Sequence, residues 1–292
     1  MRESLENPSR KRHSQFREIC RRFRKSKAGM IGLVIVALLV LTALFVGLFV
    51  PYTAATKVNA SIRLQDCSAE HPFGTDAFGR DIFARVLYGT RYSLAIGVCA
   101  TLIALVFGGL LGLIAGYAGG TLDNIIMRAT DILVSIPSIL LSMVVVASFG
   151  AGAVNLTIAL AVGQIANFTR MIRSATMSII DNEYIDAARA GGASGLYIIC
   201  KHIVNNVSGT IIVQTTMTVS RMILSAAGLS FLGLGVPPPA PEWGAMLNEA
   251  QEYMRVCFNM MLFPGLAICL SALSLNLFGD GLRDALDPKL KN

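Results

Sequence analysis

The sequence predicts an all-α membrane protein with six transmembrane helices. Three observations support this: 54% of the 292 residues are hydrophobic, only 15% are charged, and the mean hydropathy is +0.60. A soluble domain carries about 25% charged residues, so this chain has too few to cover a water-exposed surface. The composition therefore argues against a soluble enzyme, and the uncharged segments are long enough to cross about 30 Å of hydrocarbon.

The predicted spans follow from the positions of those uncharged segments. Residues 29–50, 93–117 and 256–279 each suit one crossing, and residues 203–234 are a less apolar crossing interrupted by Arg221. Residues 132–169 are too long for one helix, so we interpret them as two spans joined by a hairpin at residues 150–152. The domain boundaries are then a basic tail (1–28), a first helix (29–50), an extracytoplasmic loop (51–90), a five-helix domain (91–280) and a C-terminal tail (281–292).

The distribution of positive charge predicts the orientation. The first 27 residues hold ten Lys or Arg and three Glu, which accounts for the whole net charge of +7. Lys and Arg favour the cytoplasmic side, so both termini are expected there if the chain crosses six times. The first apolar run is longer than the 7–15 residues of a cleavable signal sequence, so we expect an uncleaved anchor. This placement leaves no basic surface that would indicate a nucleic-acid partner.

Several local patterns have mainly structural interpretations. Gly108, Gly112, Gly116 and Gly120 recur every four residues, which favours close approach of another helix. The scattered Cys and His residues predict no metal site, although Cys67 and Cys257 both fall outside and could pair. The outer loop contains turn residues that include Asp76 and Asp81, as expected for a surface connection.

Arg221 is a strong charge inside a predicted span. A charge near the bilayer centre is costly and should face protein, water or a partner. With Ser225 beside it, Arg221 could line a polar pathway. Alternatively, it could lie near a helix end and extend its charged group toward the interface.

The cytoplasmic segment 180–206 predicts two short helices around Gly191 and Gly192. Asp186, Ala187 and Ala188 would give the first helix a small surface suited to a shallow groove on another protein. Gly192 can adopt the positive φ of the corner between the helices. These features favour a docking element over a plain surface loop.

This segment resembles the EAA loop of ABC importer permeases. Asp186, Ala187, Ala188 and Gly192 stand at the motif positions and His202 lies near its end, while Asp186 replaces the usual glutamate and Asn205 the usual proline. Residues 71–89 resemble the signature before the second span of peptide and nickel permeases. The strings at residues 229–235, 241–244, 263–265 and 279–288 resemble the same group. The chain is therefore similar to the C-type permease subunit of dipeptide and oligopeptide importers.

The resemblance implies a type I ABC importer permease fold and a role as half of a transporter. The expected partners are a B-type permease, two cytoplasmic ATPases, an extracytoplasmic substrate-binding protein and membrane lipid. ATP and Mg would be bound by the ATPases, since no lysine here follows a glycine as a P-loop requires. No cofactor, metal or catalytic residue is expected in this chain.

The resemblance also implies roles for particular residues. Docking to the ATPase is expected at Asp186, Ala187, Ala188, Gly192 and His202. The expectation that Arg221 and Ser225 line the substrate pathway comes from the charge inside the span and not from the resemblance. Binding-protein docking is expected on the outer loops, at Asp76, Arg80, Asp81 and Trp243. The expected cargo is a dipeptide or oligopeptide, with nickel or a metal chelate as the alternative.

Two other classes of membrane protein require features that can be checked in this sequence. A proton- or sodium-driven transporter should carry acidic residues at the centres of its spans, and these spans hold none. An intramembrane enzyme would need a nucleophile and base, or a metal pair, within the spans.

Overall fold

The computed structural model describes residues 17–286, so most of the predicted basic tail and residues 287–292 of the C-terminal tail lie outside the described residues. Residues 17–23 are helical. The regular elements that follow within the described range are also helices: α1 (Lys27–Phe49), α2 (Tyr52–Thr56), α3 (Ile82–Ala118), α4 (Gly120–Ser135), α5 (Ser138–Phe149), α6 (Ala153–Met177), α7 (Glu183–Ala190), α8 (Gly195–Ile198), α9 (Val204–Phe231), α10 (Trp243–Ala250) and α11 (Asn259–Leu286). The last helix thus extends into the segment predicted as a tail.

Four helical segments are long and apolar enough to cross a membrane within the described range. They are α1, α3, the continuous segment from Gly195 to Phe231, and α11. The pair formed by α4 and α5 would make a fifth crossing if counted as one span. Helix α6 has 25 residues but is less apolar than these segments and is not counted among the spans. The predicted count of six is therefore not confirmed.

The third predicted span is not one straight helix. Helices α4 and α5 meet at an angle of 84°, with Ile136 and Pro137 between them. Proline lacks the N–H of a helical hydrogen bond and pushes the preceding residue toward extended backbone, as seen for Ile136 at ψ 127°. The predicted hairpin at residues 150–152 is confirmed, because Gly150 and Gly152 adopt φ values of +90° and +155°.

The glycine repeat packs α3 against α6. A Cβ on Gly108 would lie 2.5 Å from the Ile165 carbonyl oxygen, and one on Gly112 would lie 2.6 Å from that of Thr169. A Cβ on Gly116 would lie 2.7 Å from the Cβ of Thr176, whereas Gly120 lies beyond the end of α3 and a Cβ there would have no neighbour within 4 Å. Three of the four glycines therefore serve the predicted helix contact.

Helix α1 packs against α11 of the same chain. A Cβ on Gly29 would lie 2.9 Å from the Cα of Gly281, and one on Gly32 would lie 2.6 Å from the Ser274 carbonyl oxygen. Only 11% of the residues in the most apolar stretch of α1 are buried, so most of the surface of this helix is apolar and uncovered. Such a surface suits the bilayer or a neighbouring membrane subunit.

Candidate functional site

The segment 180–206 forms the two short helices that its sequence predicts. Helix α7 ends at Ala190, and the chain turns at Gly192, whose φ of +79° confirms the predicted conformation. The side chain of Ser194 then caps α8 by accepting a hydrogen bond from the Tyr197 N–H at 3.3 Å. The two helices are thus joined by a corner that only glycine adopts without strain.

A small hydrophobic cluster attaches this helix pair to the long helix α3. Ile185, Ile198 and Ile203 are fully buried and pack together with Leu113 and Tyr117 of α3. Gly195 lies close to Tyr117 as well, since a Cβ there would be 3.0 Å from Cε1 of the ring. A displacement of the helix pair would therefore be transmitted to the end of α3.

The predicted docking residues divide between the surface and this cluster. Asp186 and Ala187 are exposed, and Asp186 accepts a hydrogen bond from Arg189 at 3.2 Å. Ala188 is half-buried and packs against the isoleucine cluster. Its small side chain therefore serves the internal packing of the loop, in contrast to the predicted surface role.

The same surface carries three larger side chains that were not predicted as docking residues from the sequence. Leu196, Tyr197 and Tyr184 are 73%, 52% and 41% exposed. His202 lies between the two tyrosines, with ring centroids 6.1 Å from Tyr184 and 5.9 Å from Tyr197. The sequence signal that could have indicated them is the occurrence of large apolar residues in a polar connection. Nothing within residues 17–286 covers these side chains.

The segment that leads into α9 is a continuous helix. Asn205 stands where the family usually has proline, so no proline interrupts the helix here. Residues Ile199–Ile203 form a π-helical turn, which leaves some carbonyls without their usual partners. The Asn205 side chain donates to the Lys201 carbonyl at 2.6 Å, and the Asn206 side chain donates to the His202 carbonyl at 2.7 Å. Side-chain amides thus satisfy backbone groups at this entry into the span.

Asp76 and Arg80, in the loop 51–90, are not accessible at the surface. Both are only 3% exposed, and Arg80 binds Asp76 through its Nε at 2.6 Å. The Arg80 and Arg85 guanidinium groups also contact Oε2 of Glu249, at 2.6 and 2.9 Å. Asp76 and Arg80 therefore offer no accessible side chain for the predicted contact with a binding protein, because these charges are paired with one another in the interior.

Trp243 and Asp81 also have internal roles. Trp243 is fully buried and donates from its Nε1 to the Val86 carbonyl at 2.9 Å, so it cannot offer a docking surface. Asp81 caps α3 by accepting from the Ala84 N–H at 2.7 Å and contacts His71 Nδ1 at 2.7 Å. Cys67 and Cys257 remain unpaired thiols.

Arg221 lies on the exposed side of α9. It donates from Nη2 to the Thr218 hydroxyl at 2.9 Å, and the rest of its guanidinium group is free of ion pairs within residues 17–286. Ser225, one turn further along, lines a narrow crevice beside Ser138, Ser142 and Gln164. The structure therefore places both predicted pathway residues along one side of α9.

Comparison with known proteins shows the family. Residues 108–292 match the model of the binding-protein-dependent transport system inner membrane component, and residues 14–66 match the N-terminal TM domain of oligopeptide transport permease C. The chain is 46% identical to the dipeptide transport system permease protein DppC of Alkalihalophilus pseudofirmus, over 96% of this chain and 91% of the relative. It is 43% identical to the glutathione transport system permease protein GsiD of Pectobacterium atrosepticum, over 95% and 92%.

Solved structures support the fold. The chain is similar to a permease chain from inward-facing structures of the MetNI methionine ABC transporter, with a TM-score of 0.57 at 19% identity. That likeness covers 70% of this chain and 97% of the other. The chain belongs to the binding-protein-dependent inner-membrane component family and is a multi-pass permease subunit of a peptide-family ABC importer.

Proposed function

We propose that this permease forms half of the translocation pathway for dipeptides or oligopeptides and is driven by ATPases that dock on the segment 180–206. The observation that carries the coupling role is the exposed surface of α7 and α8, attached to α3 by buried isoleucines. Its exposed Leu196 and Tyr197 are suited to a groove on another protein, since exposed apolar patches mark interaction sites.

The similar relatives favour a peptide cargo. The DppC relative is named for dipeptide transport, and the GsiD relative is named for glutathione, itself a short peptide. Nickel or a metal chelate remains the less favoured alternative, which direct uptake measurements with peptide and metal would separate.

The partners and the energy source are part of the same proposal. Two cytoplasmic ATPases would bind ATP and Mg, and a related B-type permease would complete the pathway within membrane lipid. An extracytoplasmic binding protein would deliver the substrate. Both chain termini would lie in the cytoplasm, on the same side as α7 and α8.

Binding-protein docking is now proposed for a different part of the outer face. Residues 57–61 and 65–70 are exposed, together with Phe78 at 48% and Val256 at 73%. These side chains are accessible, whereas the buried ion pairs beneath them hold the loop in place.

Replacing Gly192 with valine tests the coupling role. Valine at a φ of +79° is strained, so the corner between α7 and α8 should open and peptide uptake should fall at least tenfold. ATP hydrolysis by the assembled complex should continue without matching uptake. The measurement compares both activities in proteoliposomes that contain the purified importer.

The matched control is the same substitution at the preceding glycine. Gly191 has a φ of −75°, which valine adopts, so Gly191→Val should retain coupled uptake. Normal uptake by Gly192→Val, or equal losses in the two variants, would contradict the proposed coupling role of the corner.

A further inference from the structure

One side of α9 carries polar residues along most of its length. Asn206, Thr210, Gln214, Arg221 and Ser225 are spaced by four, four, seven and four residues, so they align on a single helix face. Asn206, Thr210 and Arg221 are exposed, and Gln214 and Ser225 are partly exposed. We call this row of five residues the polar stripe.

The polar stripe connects two concave surfaces. At its cytoplasmic end, Asn206, Thr210 and Gln214 line a cleft of about 520 Å³ together with Arg283 of α11. At its other end, Ser225 lines the crevice formed by Ser138, Ser142 and Gln164. Ser138 begins α5 directly after Pro137, so the stripe reaches the point where the α4–α5 span is broken.

Arg221 lies near the membrane midplane when the end of α9 is placed at the edge of the hydrocarbon layer. It is ten residues from Phe231 at the end of α9, about 15 Å at 1.5 Å per residue, which is half the thickness of the hydrocarbon layer. A charged group at this depth is stable only if it faces water, a partner or a compensating charge. No Asp or Glu within residues 17–286 forms an ion pair with it.

One neighbour, Thr218, orients the guanidinium group of Arg221. Thr218 is 1% exposed and accepts one guanidinium N–H, which orients the group while its other N–H donors remain available. Arginine presents these donors in a planar fork that matches the two oxygens of a carboxylate. Every peptide with a free C-terminus carries such a carboxylate.

We propose that Arg221 binds the carboxylate of the peptide substrate during its passage along the polar stripe. This inference rests on the proposed function and deepens it by assigning a substrate-binding residue. Thr218 is a positioning residue in this arrangement, and the uncharged stripe residues offer hydrogen bonds to the peptide backbone on either side.

The first test measures peptide uptake by the complete importer in proteoliposomes, with its binding protein supplied. Arg221→Gln should lower the maximal uptake rate of a free dipeptide by tenfold or more, the effect expected for a lost charge-assisted hydrogen bond. Arg221→Lys, which keeps the charge but loses the fork, should lie between Gln and the unchanged protein. Arg128→Gln, an exposed arginine on α4, is the matched control and should be unaffected.

A second test asks whether the positive charge itself is required. Arg221→Cys is made in a variant whose six native cysteines are replaced, and that variant must first retain uptake. Modification with an aminoethyl thiosulfonate, which restores a cation, should recover uptake several-fold. Modification with the anionic sulfonatoethyl reagent should not.

The outcomes separate this inference from the proposed function. Equal uptake by Arg221→Gln and the unchanged importer, or equal recovery with both reagents, would overturn the carboxylate-binding role alone. Loss of the partner permease on purification of Arg221→Gln would overturn it too, because Arg221 would then be a subunit contact. Failure of the unchanged importer to take up any peptide would overturn both.

Discussion

At the scale of single residues, the outer loop shows how burial assigns a role that residue type alone leaves open. Arg80 and Arg85 lie in the interior with Asp76 and Glu249, and the two arginines share Oε2 of Glu249. Opposite charges offset one another there, since an unpaired charge in a poorly solvated site is strongly unfavourable. The group ties the start of α3 to α10, and residues 51–90 are held against the membrane domain through it.

Neutralising Glu249 should therefore destabilise the protein. Glu249→Gln leaves two buried guanidinium groups opposite one carboxylate, and we expect the free energy of unfolding to fall by about 3–5 kcal/mol. Glu252→Gln, at an exposed position three residues later, should change it by less than about 0.5 kcal/mol. Denaturant unfolding of the detergent-solubilised protein measures both, and equal stability of the two variants would contradict the assigned role.

At the scale of elements, glycines determine how closely the spanning helices approach. The α3–α6 contact depends on Gly108, Gly112 and Gly116. Backbone atoms of α6 occupy the space of a side chain at the first two, and the Thr176 side chain occupies it at Gly116. Without a hydrophobic driving force between helices in lipid, such close packing is a main source of association. Two ion pairs add to this region: Arg173 binds Asp123 and Arg170 binds Asp131, which fastens α4 to α6.

A leucine at position 112 should force α3 and α6 apart. Its Cβ alone would lie 2.6 Å from the Thr169 carbonyl oxygen, so the helices must separate, at a cost of about 1–3 kcal/mol or more. The lower melting temperature of the purified variant would show this loss. Gly265→Ala is the control, because a Cβ there contacts nothing and alanine favours a helix, so the melting temperature should stay the same or rise.

At the scale of the whole molecule, the two ends of the helical bundle carry different kinds of surface. One end has the outer loop and α10, and the other has α7 and α8 attached to the end of α3. The proposed orientation places the first end outside and the second in the cytoplasm, in agreement with the basic N-terminal segment.

Two native cysteines test this orientation. Cys67 and Cys200 are exposed at opposite ends of the helical bundle, so single-cysteine variants can report each side. A membrane-impermeant thiol reagent should label Cys67 in right-side-out vesicles and Cys200 in inverted ones. The reverse pattern would place the segment 180–206 outside and would be incompatible with cytoplasmic ATPases docked on it.

The amino-acid sequence was sufficient for the fold class, the hairpin at residues 150–152, the glycine contact of α3 and the corner at Gly192. These features depend on local composition, periodicity and backbone freedom, which can be inferred directly from the order of the residues. It did not reveal the break at Pro137 as a bend of 84°, and the count of six spans is not confirmed.

Only the tertiary structure decided which polar residues face outward. Asp76, Arg80 and Trp243 are suited by type to a docking surface, yet they are buried because partners distant in sequence, such as Glu249, surround them. Arg221 is exposed in a spanning helix because no such partner meets it within the described residues. The role of a charge depends on the charges that folding brings beside it, and those contacts join residues more than 150 positions apart.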